Sequence, residues 1–285
     1  MEVFLIGIDD TDNPTSPGTG RLARRLSDEC ARRGLRPLGV TRHQFLVHPA
    51  IPYTSHNSGA CIALESPSTR SVPFGPARAG VLSDSEGPGR ARGTRCSGLS
   101  PSGSPGVDGS RAIAKDLSEF IYDFVAENSA DGSDPGVCLA EASNVPDYIV
   151  EFAHLATRQV VTMPDAFALA KRASISLRGL GGTCQGVIGA LGSVGLRASG
   201  NDGRFIDLPG LRELHGCVDV AAFDRIGVAV EYRGGENAAD ASSRCETLDW
   251  VRPRLVGGKA VLPLEWCEQK NAWIPLDRKQ SRLNG

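Results

Sequence analysis

Residues 67–110 limit the architecture more than any other stretch of this chain. Of these 44 residues, 24 are Gly, Pro or Ser, and no apolar periodicity runs through them. Such a segment cannot bury enough apolar surface to offset its ordering entropy, so it reads as a mobile loop or linker. It carries five arginines against three acidic residues. That balance permits passing phosphate contact but fits a solvated insertion better. Any core must therefore be built by the two flanks.

The flanks alternate strands and helices. Val3–Ile8 is apolar at every position, which predicts a central strand covered on both sides. Thr19–Arg33 reads as an amphipathic helix, with Leu22, Leu26 and Cys30 four residues apart and Gly34 as its stop. Strands are predicted over 39–48 and 58–65. After the insertion come a helix over 112–127, a short strand over 136–142, and helices around 146–158 and 164–173. Residues 174–196 read strand, glycine turn, helix. Residues 251–264 resemble a hairpin turning at Gly257–Gly258, and the last dozen residues read as frayed. The class expected is mixed α/β (α+β).

With 285 residues, 40% of them apolar, the chain can form one large domain or two ordinary ones. A formal net charge of -2 argues against a scaffold living on non-specific phosphate contacts. Eight cysteines are scattered singly, without a C-x-x-C or a Cys/His pair at zinc spacing. The N-terminal apolar run is too short for a signal peptide and nothing approaches a membrane span. The expectation is a cytoplasmic protein with reduced thiols and no membrane association.

Chemistry concentrates in "GIDDTDNPTSPGTGRLA". Asp9, Asp10 and Asp12 crowd three like charges at a strand's C-terminal end. Clustered carboxylates either repel, with raised pKa values, or share a cation. Mg²⁺ takes a few carboxylates plus water and phosphate oxygens. Just downstream, Gly18, Thr19 and Gly20 sit at a helix N-terminus, where free N–H groups and the dipole attract phosphate. A cation site, an anion site and a hydroxyl in one turn are the equipment of phosphoryl transfer. The alternative is a shaped turn, with Asp9, Asp12 and Asn13 as turn residues and Thr19 as a cap. The residues alone leave both readings open.

Two further stretches are weaker. "RGLGGTCQGVIGALGSVG" is glycine-rich before a helix but fails both G-x-x-x-x-G-K-[ST] and G-x-G-x-x-G. Gly186, Gly189 and Gly192 there suit a thin, closely packed helix face. In "HPAIPYTSHNSGA", Tyr53 can stack on a base, and Thr54, Ser55, His56 and Asn57 can hydrogen-bond a ligand. No histidine or cysteine has a partner that sequence can place beside it, so none is assigned a nucleophilic role.

Taken together and in order, these stretches resemble the archaeal isoleucine-tRNA 2-agmatinylcytidine synthetase family. "GIDDTD" with "GTGRLA" is similar to its opening motif. "HPAIPY" and "SGA" resemble "NPxIPY…GNGA", while "DPGV" and "GVIGALGSVG" resemble "NPGV" and "GLIGALAAIG". The resemblance spans roughly residues 3–208. It implies a small kinase-like α/β domain followed by a ferredoxin-like domain. Mapped here, these are an ATP/Mg-binding domain over 1–66, the insertion 67–110, a ferredoxin-like domain over 111–235 and a short β-rich extension over 236–285. It also implies ATP and Mg²⁺ as cofactors and an agmatine-like amine as co-substrate. The reaction implied is phosphoryl activation of a carbonyl oxygen on a tRNA base or smaller nucleotide-like acceptor, followed by amine attack. By that resemblance Asp9, Asp10 and Thr19 are catalytic, and Asp9, Asp10 and Asp12 hold Mg²⁺. Asp12, Gly18, Gly20, Tyr53, Asn57 and Gly59 bind the nucleotide, and Thr19 aligns with a threonine that can itself be phosphorylated.

The sequence also departs from the pattern. Where the family reads "PYKTRGNG", Thr54 stands for Lys, His56 for Arg and Ser58 for Asn. Arg92, Arg95 or Arg178 are the cations available to replace them. After Leu208 about 75 residues remain, with no Cys pair and fewer strands than a full OB barrel, which weakens the expectation of tight tRNA binding. The competing functions are a non-catalytic nucleotide- or RNA-binding module and a metal-dependent phosphohydrolase.

Overall fold

The computed structural model describes residues 1–51, 56–66, 109–233, 244–247 and 251–276, with backbone only for 109–114. Most of the expected insertion, Tyr53, Thr54, Ser55, Arg92 and Arg95 lie outside these residues; residues 109–110, expected in the insertion, instead open the helix Gly109–Asn128, and the start of the expected frayed end belongs to the strand Ala272–Pro275.

The first half builds β1 (Glu2–Asp9), α1 (Thr19–Arg32), β2 (Arg36–Gln44), β3 (Ser58–Ser66), α2 (Gly109–Asn128) and β4 (Gly136–Glu141). Then follow α3 (Asp147–Ala156), α4 (Met163–Arg172), β5 (Ser176–Gly179) and α5 (Gly186–Ser199). The remainder holds β6 (Arg204–Asp207), β7 (Gly216–Asp219), α6 (Ala221–Arg225), β8 (Val228–Arg233), β9 (Arg244–Thr247), β10 (Arg254–Val256), β11 (Lys259–Cys267) and β12 (Ala272–Pro275). All strands join one sheet in the order β5-β4-β1-β3-β2-β6-β10-β11-β12-β9-β7, with β8 paired to β11. This is the mixed, mostly antiparallel α+β architecture that the alternation predicts.

β1 is apolar from Val3 to Ile8 because both its faces are covered. Phe4, Ile6 and Ile8 pack with Leu22 and Leu26 of α1 and Leu117 and Ile121 of α2. Leu5 faces the other way, toward Ile149 and Phe152 of α3 and Val187, Ala190 and Val194 of α5. Each of these side chains is worth roughly 1.5–3 kcal/mol when fully buried. β1 pairs antiparallel with β3 on one side and β4 on the other. Strands from 1–66 and from 111–235 thus share one sheet.

Four glycines at i, i+3 spacing let α5 lie close on that sheet. A Cβ on Gly189 would overlap the Asp9 carboxylate, one on Gly192 the Phe45 ring, and one on Gly195 the α3 backbone at Ile149. On Gly186 it would overlap the Asp134 carbonyl. The close-packing reading of this stripe is the one the structure bears out.

Three expectations are corrected. Six strands, β7–β12, follow Leu208, more than the sequence pattern discloses. Most are three to six residues long, too short for alternation to register. Their core of Phe205, Phe223, Val228, Leu262, Leu264 and Trp273 draws on residues either side of 235. β2 ends at Gln44, because Leu46 N–H turns away to the Ala156 carbonyl at 3.1 Å. Finally, Cys184 is disulfide-bonded, whereas Cys30, Cys61, Cys138, Cys217, Cys245 and Cys267 are free thiols.

Candidate functional site

β1 delivers Asp9 at its last position, opposite Gly136 of β4. The next residue, Asp10, leaves the strand with φ 52°, a left-handed conformation that Asp tolerates better than most non-glycine residues. The loop then doubles back. Ser16 Oγ accepts from Asn13 N–H at 2.8 Å, and Gly18, with φ 89°, starts α1 without any side-chain cap. The first N–H groups of a helix have no intrahelical acceptor, so α1 presents donors where Thr19 and Gly20 sit.

Thr19 has the most determined hydroxyl in the loop. It is 7% exposed. Its Oγ1 donates to Asp12 Oδ1 at 3.0 Å. It accepts from the Thr11 hydroxyl at 3.1 Å and from Thr11 N–H at 3.4 Å. With two donors directed at its lone pairs, its own proton points at the Asp12 carboxylate. A carboxylate so placed can take the hydroxyl's proton, and no side-chain hydrogen bond caps α1.

Two clefts meet at this pair. The acidic cleft, of about 120 Å³, is lined by Asp9, Asp10, Asp12, Asn57, Gly186 and Gly189 and walled by Phe45, Ile51, Val160, Val161 and Ile188. Burial is the main reason the Asp9 carboxyl is pushed up to about 7, with Asp10 and Asp12 adding repulsion. Asp10 is pushed up to about 6, again by burial first, then by Asp134 and Asp12. Asp134 is a fourth acid that the sequence reading left unassigned. It is anchored by the Thr183 hydroxyl and by Thr183 N–H at 2.8 Å. Neither Asp9 nor Asp10 makes an ion pair among the described residues.

The second cleft, of about 450 Å³, is lined by Gly18, Thr19, Gly20 and Gly59 and by five arginines: Arg21, Arg24, Arg42, Arg212 and Arg252. Arg42 Nε donates to Ser58 Oγ at 2.9 Å. Burial and neighbouring Arg252 lower its pKa, against the pull of Asp12. Arg24 is lowered by burial and by Arg212, and raised by Asp207. So many guanidinium groups in a partly buried cleft favour an anion there. Asp12, His56 and Ser58 line both clefts.

The structure thus brings together Asp9, Asp10, Asp12, Gly18, Thr19, Gly20, Asn57 and Gly59. Asn57 shapes the wall by donating to the Leu46 carbonyl at 2.6 Å. Arg178 lies elsewhere, paired with Glu119 at 3.2 Å and stacked on Tyr122. It is not a replacement for the family's cations. The five cleft arginines were missed by sequence reasoning. Arg21 and Arg24 carried a signal, since basic residues in a helix's first turns oppose the dipole unless an anion joins them. Arg42 lies in the polar end of β2, beside Thr41, His43 and Gln44, and, like Arg212 and Arg252, gives no local sign.

Among the described residues no three His, Cys, Asp or Glu side chains are grouped as a ready-made metal site. Mg²⁺ does not require one, since one or two carboxylates with water and phosphate oxygens suffice. Two carboxylates held partly out of water, with no ion pair among the described residues, fit that demand. No helix among the described residues is long and apolar enough to cross a membrane.

No protein-family model matches the chain, and no curated protein matches it in sequence. Among solved structures it is similar to apo TiaS, a tRNA agmatidine synthetase, at 19% identity and a TM-score of 0.43, covering 68% of this chain and 35% of that one. It is similar to TiaS bound to tRNA and ATP at 22% identity and a TM-score of 0.44, covering 68% and 36%. A tRNA fluorescent labeling enzyme matches at 21% identity and a TM-score of 0.45, again over 68% and 36%. The chain spans about a third of the length of these structures.

Proposed function

We propose that this chain is an ATP- and Mg²⁺-dependent phosphoryl-transfer enzyme that activates a carbonyl oxygen for attack by an amine. The observation that carries the reading is the Thr19 hydroxyl, bonded to Asp12 on the floor of an arginine-lined cleft at a helix N-terminus. Thr19 Oγ1 attacks the γ-phosphorus, and its proton passes to the Asp12 carboxylate. The bond to the bridging oxygen breaks and ADP leaves with the electron pair. The arginines and the α1 N–H groups hold the phosphates and stabilise the charge that spreads over the transferring oxygens.

Asp9, Asp10 and Asp12 are the residues that would hold Mg²⁺, which when bound would neutralise phosphate charge. The apolar wall of the acidic cleft suits the carbon chain of an agmatine-like amine, its cationic end toward the carboxylates. A phosphoryl group passed from Thr19 to the acceptor's carbonyl oxygen makes that oxygen a leaving group. The amine then displaces it as phosphate. The acceptor in this reading is a tRNA base or a smaller nucleotide-like molecule, as the motif resemblance implies. In this reading a ferredoxin-like domain over 111–235 follows the nucleotide-binding domain over 1–66, and the protein works in the cytoplasm.

Incubation with γ-labelled ATP and Mg²⁺, followed by peptide mass spectrometry, tests the reading. Label on Thr19 with ADP release supports it. Absence of turnover would leave a passive binding module, and label on Asp9 or Asp10 with Thr19 dispensable would mark a phosphohydrolase.

A further inference from the structure

Thr11 stands between Asp10 and Asp12, is 3% exposed and lines neither cleft. Its backbone is fixed from beyond α2, where Ala130 N–H donates to the Thr11 carbonyl at 2.9 Å. Two residues on, Asn13 Nδ2 donates to the Asp131 carbonyl at 3.2 Å. The loop supplying these contacts is itself closed, because Ser133 donates its N–H at 3.2 Å and its hydroxyl at 2.7 Å to the Ala130 carbonyl. A β-branched side chain on a fixed, buried backbone has few rotamers open to it. The Thr11 hydroxyl so held lies 3.1 Å from Thr19 Oγ1. The order of protons follows from the neighbour on the other side. Thr19 Oγ1 and Asp12 Oδ1 are 3.0 Å apart, and an ionised carboxylate has no proton to give. Thr19 therefore donates to Asp12, and Thr11 donates to Thr19. The second contact from Thr11, its N–H at 3.4 Å from the same oxygen, is longer than an ordinary N–H···O bond of about 2.9–3.0 Å. One lone pair of Thr19 is thus firmly engaged and the other only loosely.

We infer that Thr11 is a positioning residue for Thr19: its hydroxyl aims the Thr19 proton at Asp12 and leaves the loosely held lone pair for phosphorus. The inference rests on the phosphoryl-transfer reading for the fate of that lone pair, though not for the order of the hydroxyls. In the step concerned the Oγ1–P bond forms and the bond from γ-phosphorus to the bridging oxygen breaks, its electron pair leaving with ADP. The Thr19 proton passes to Asp12. Without the Thr11 hydroxyl, Thr19 is free to turn its proton away from Asp12, and part of the population then meets phosphorus with no base in line. The loop over 129–133 thereby sets the nucleophile from the far side of residues 67–110, although none of its residues lines either cleft.

The test uses the full chain and two readouts. Thr11→Val keeps the volume and the branch but removes the hydroxyl, and Thr11→Ser keeps the hydroxyl. Exchange of the Thr19 hydroxyl proton with water, followed by NMR without ATP or metal, reads the hydroxyl order alone. Exchange is expected to be at least about tenfold faster in Thr11→Val than in wild type, with protection restored in Thr11→Ser. In the Thr19 labelling assay, Thr11→Val is expected to lower the maximal rate about 10²-fold. The ATP concentration giving half that rate should stay within about threefold, and Thr11→Ser should recover at least about tenfold of the loss. On an Asp12→Asn background, Thr11→Val should cost less than about threefold more, because the base it aims at is gone. A merely structural role would cost the same factor on both backgrounds. Thermal melting confirms that each variant is folded, and Thr11→Ala carries the same expectations should Thr11→Val not fold. Unchanged exchange, a folded Val variant labelled within about threefold of wild type, or the full loss repeated on the Asp12→Asn background overturns the inference. Exchange that depends on the Thr11 hydroxyl, without any Thr19 labelling in wild type, would overturn only the phosphoryl-transfer reading.

Discussion

The two clefts beside Thr19 handle crowded like charge in opposite ways. In the acidic cleft Asp9 is pressed against the glycine face of α5 and Asp10 lines the same cleft. Burial first, and neighbouring carboxylates second, make both groups hold their protons to higher pH. In the arginine cleft protons cannot be shed near neutral pH, so the charges are spread over Asp12, Asp207 and a wider space. On the proposed reading, the first cleft would exchange protons for a cation and the second would take an anion. Asp12 belongs to both, which puts the Thr19 hydroxyl at the boundary where a metal-bridged phosphate would lie.

Perturbing the boundary itself should have the largest effect. Thr19→Ala is expected to abolish label incorporation. Asp12→Asn, which keeps the hydrogen bond but removes the base, should lower the labelling rate about 10²–10⁴-fold. Both are read by quantitative mass spectrometry. Next comes the arginine side, where Arg42→Ala should weaken tripolyphosphate binding by about tenfold or more. A loss of melting temperature without a loss of affinity would make Arg42 structural and blur the contrast.

The acidic side can be broken sterically. Gly189→Ala places a methyl where the Asp9 carboxylate lies. Such overpacking costs about 1–3 kcal/mol, measurable as a lower urea midpoint. The smallest expected effect is titration of that cleft. Asp9 and Asp10 have folded pKa values near 7 and 6, above the ordinary 3.8, so the folded state binds more protons than the unfolded state between those limits. Their contribution to stability is therefore complete below about pH 4 and lost as pH rises through 6 and 7. Without Mg²⁺ the melting temperature should fall from pH 5 to pH 8. Asp9→Asn should flatten the slope, and Mg²⁺ should raise the melting temperature more at pH 8 than at pH 5.

Where the candidate site is local, the sequence places its residues together. Asp9, Asp10, Asp12, Gly18 and Thr19 occupy one turn, and the structure keeps them in one place. The strand at β1 and the helices α1 and α5 are also legible, because each has a long apolar pattern matched to its period. The arginine cleft was not legible for the opposite reason. Arg42 is one of two arginines in β2, and Arg212 and Arg252 come from segments whose strands are too short to register. Only the pairing of β2 with β6, and of β6 with β10, brings them to Thr19. Nor does spacing show that β4 pairs with β1, or that Asp134 joins the aspartates across the insertion. Thr54 and His56 stand where the family motif has cations, and the sequence alone suggested no replacement from the far end of the chain.

The central claim is that Thr19, with Asp12 as its base, is the first acceptor of the γ-phosphoryl group. Mapping the phosphate after a single turnover with labelled ATP and Mg²⁺, in wild type and in Asp12→Asn, tests it most directly. The account predicts label on Thr19 in wild type and almost none in Asp12→Asn. Label on Asp9 or Asp10 that survives in Thr19→Ala, or no label on any residue while ATP is consumed, would contradict it.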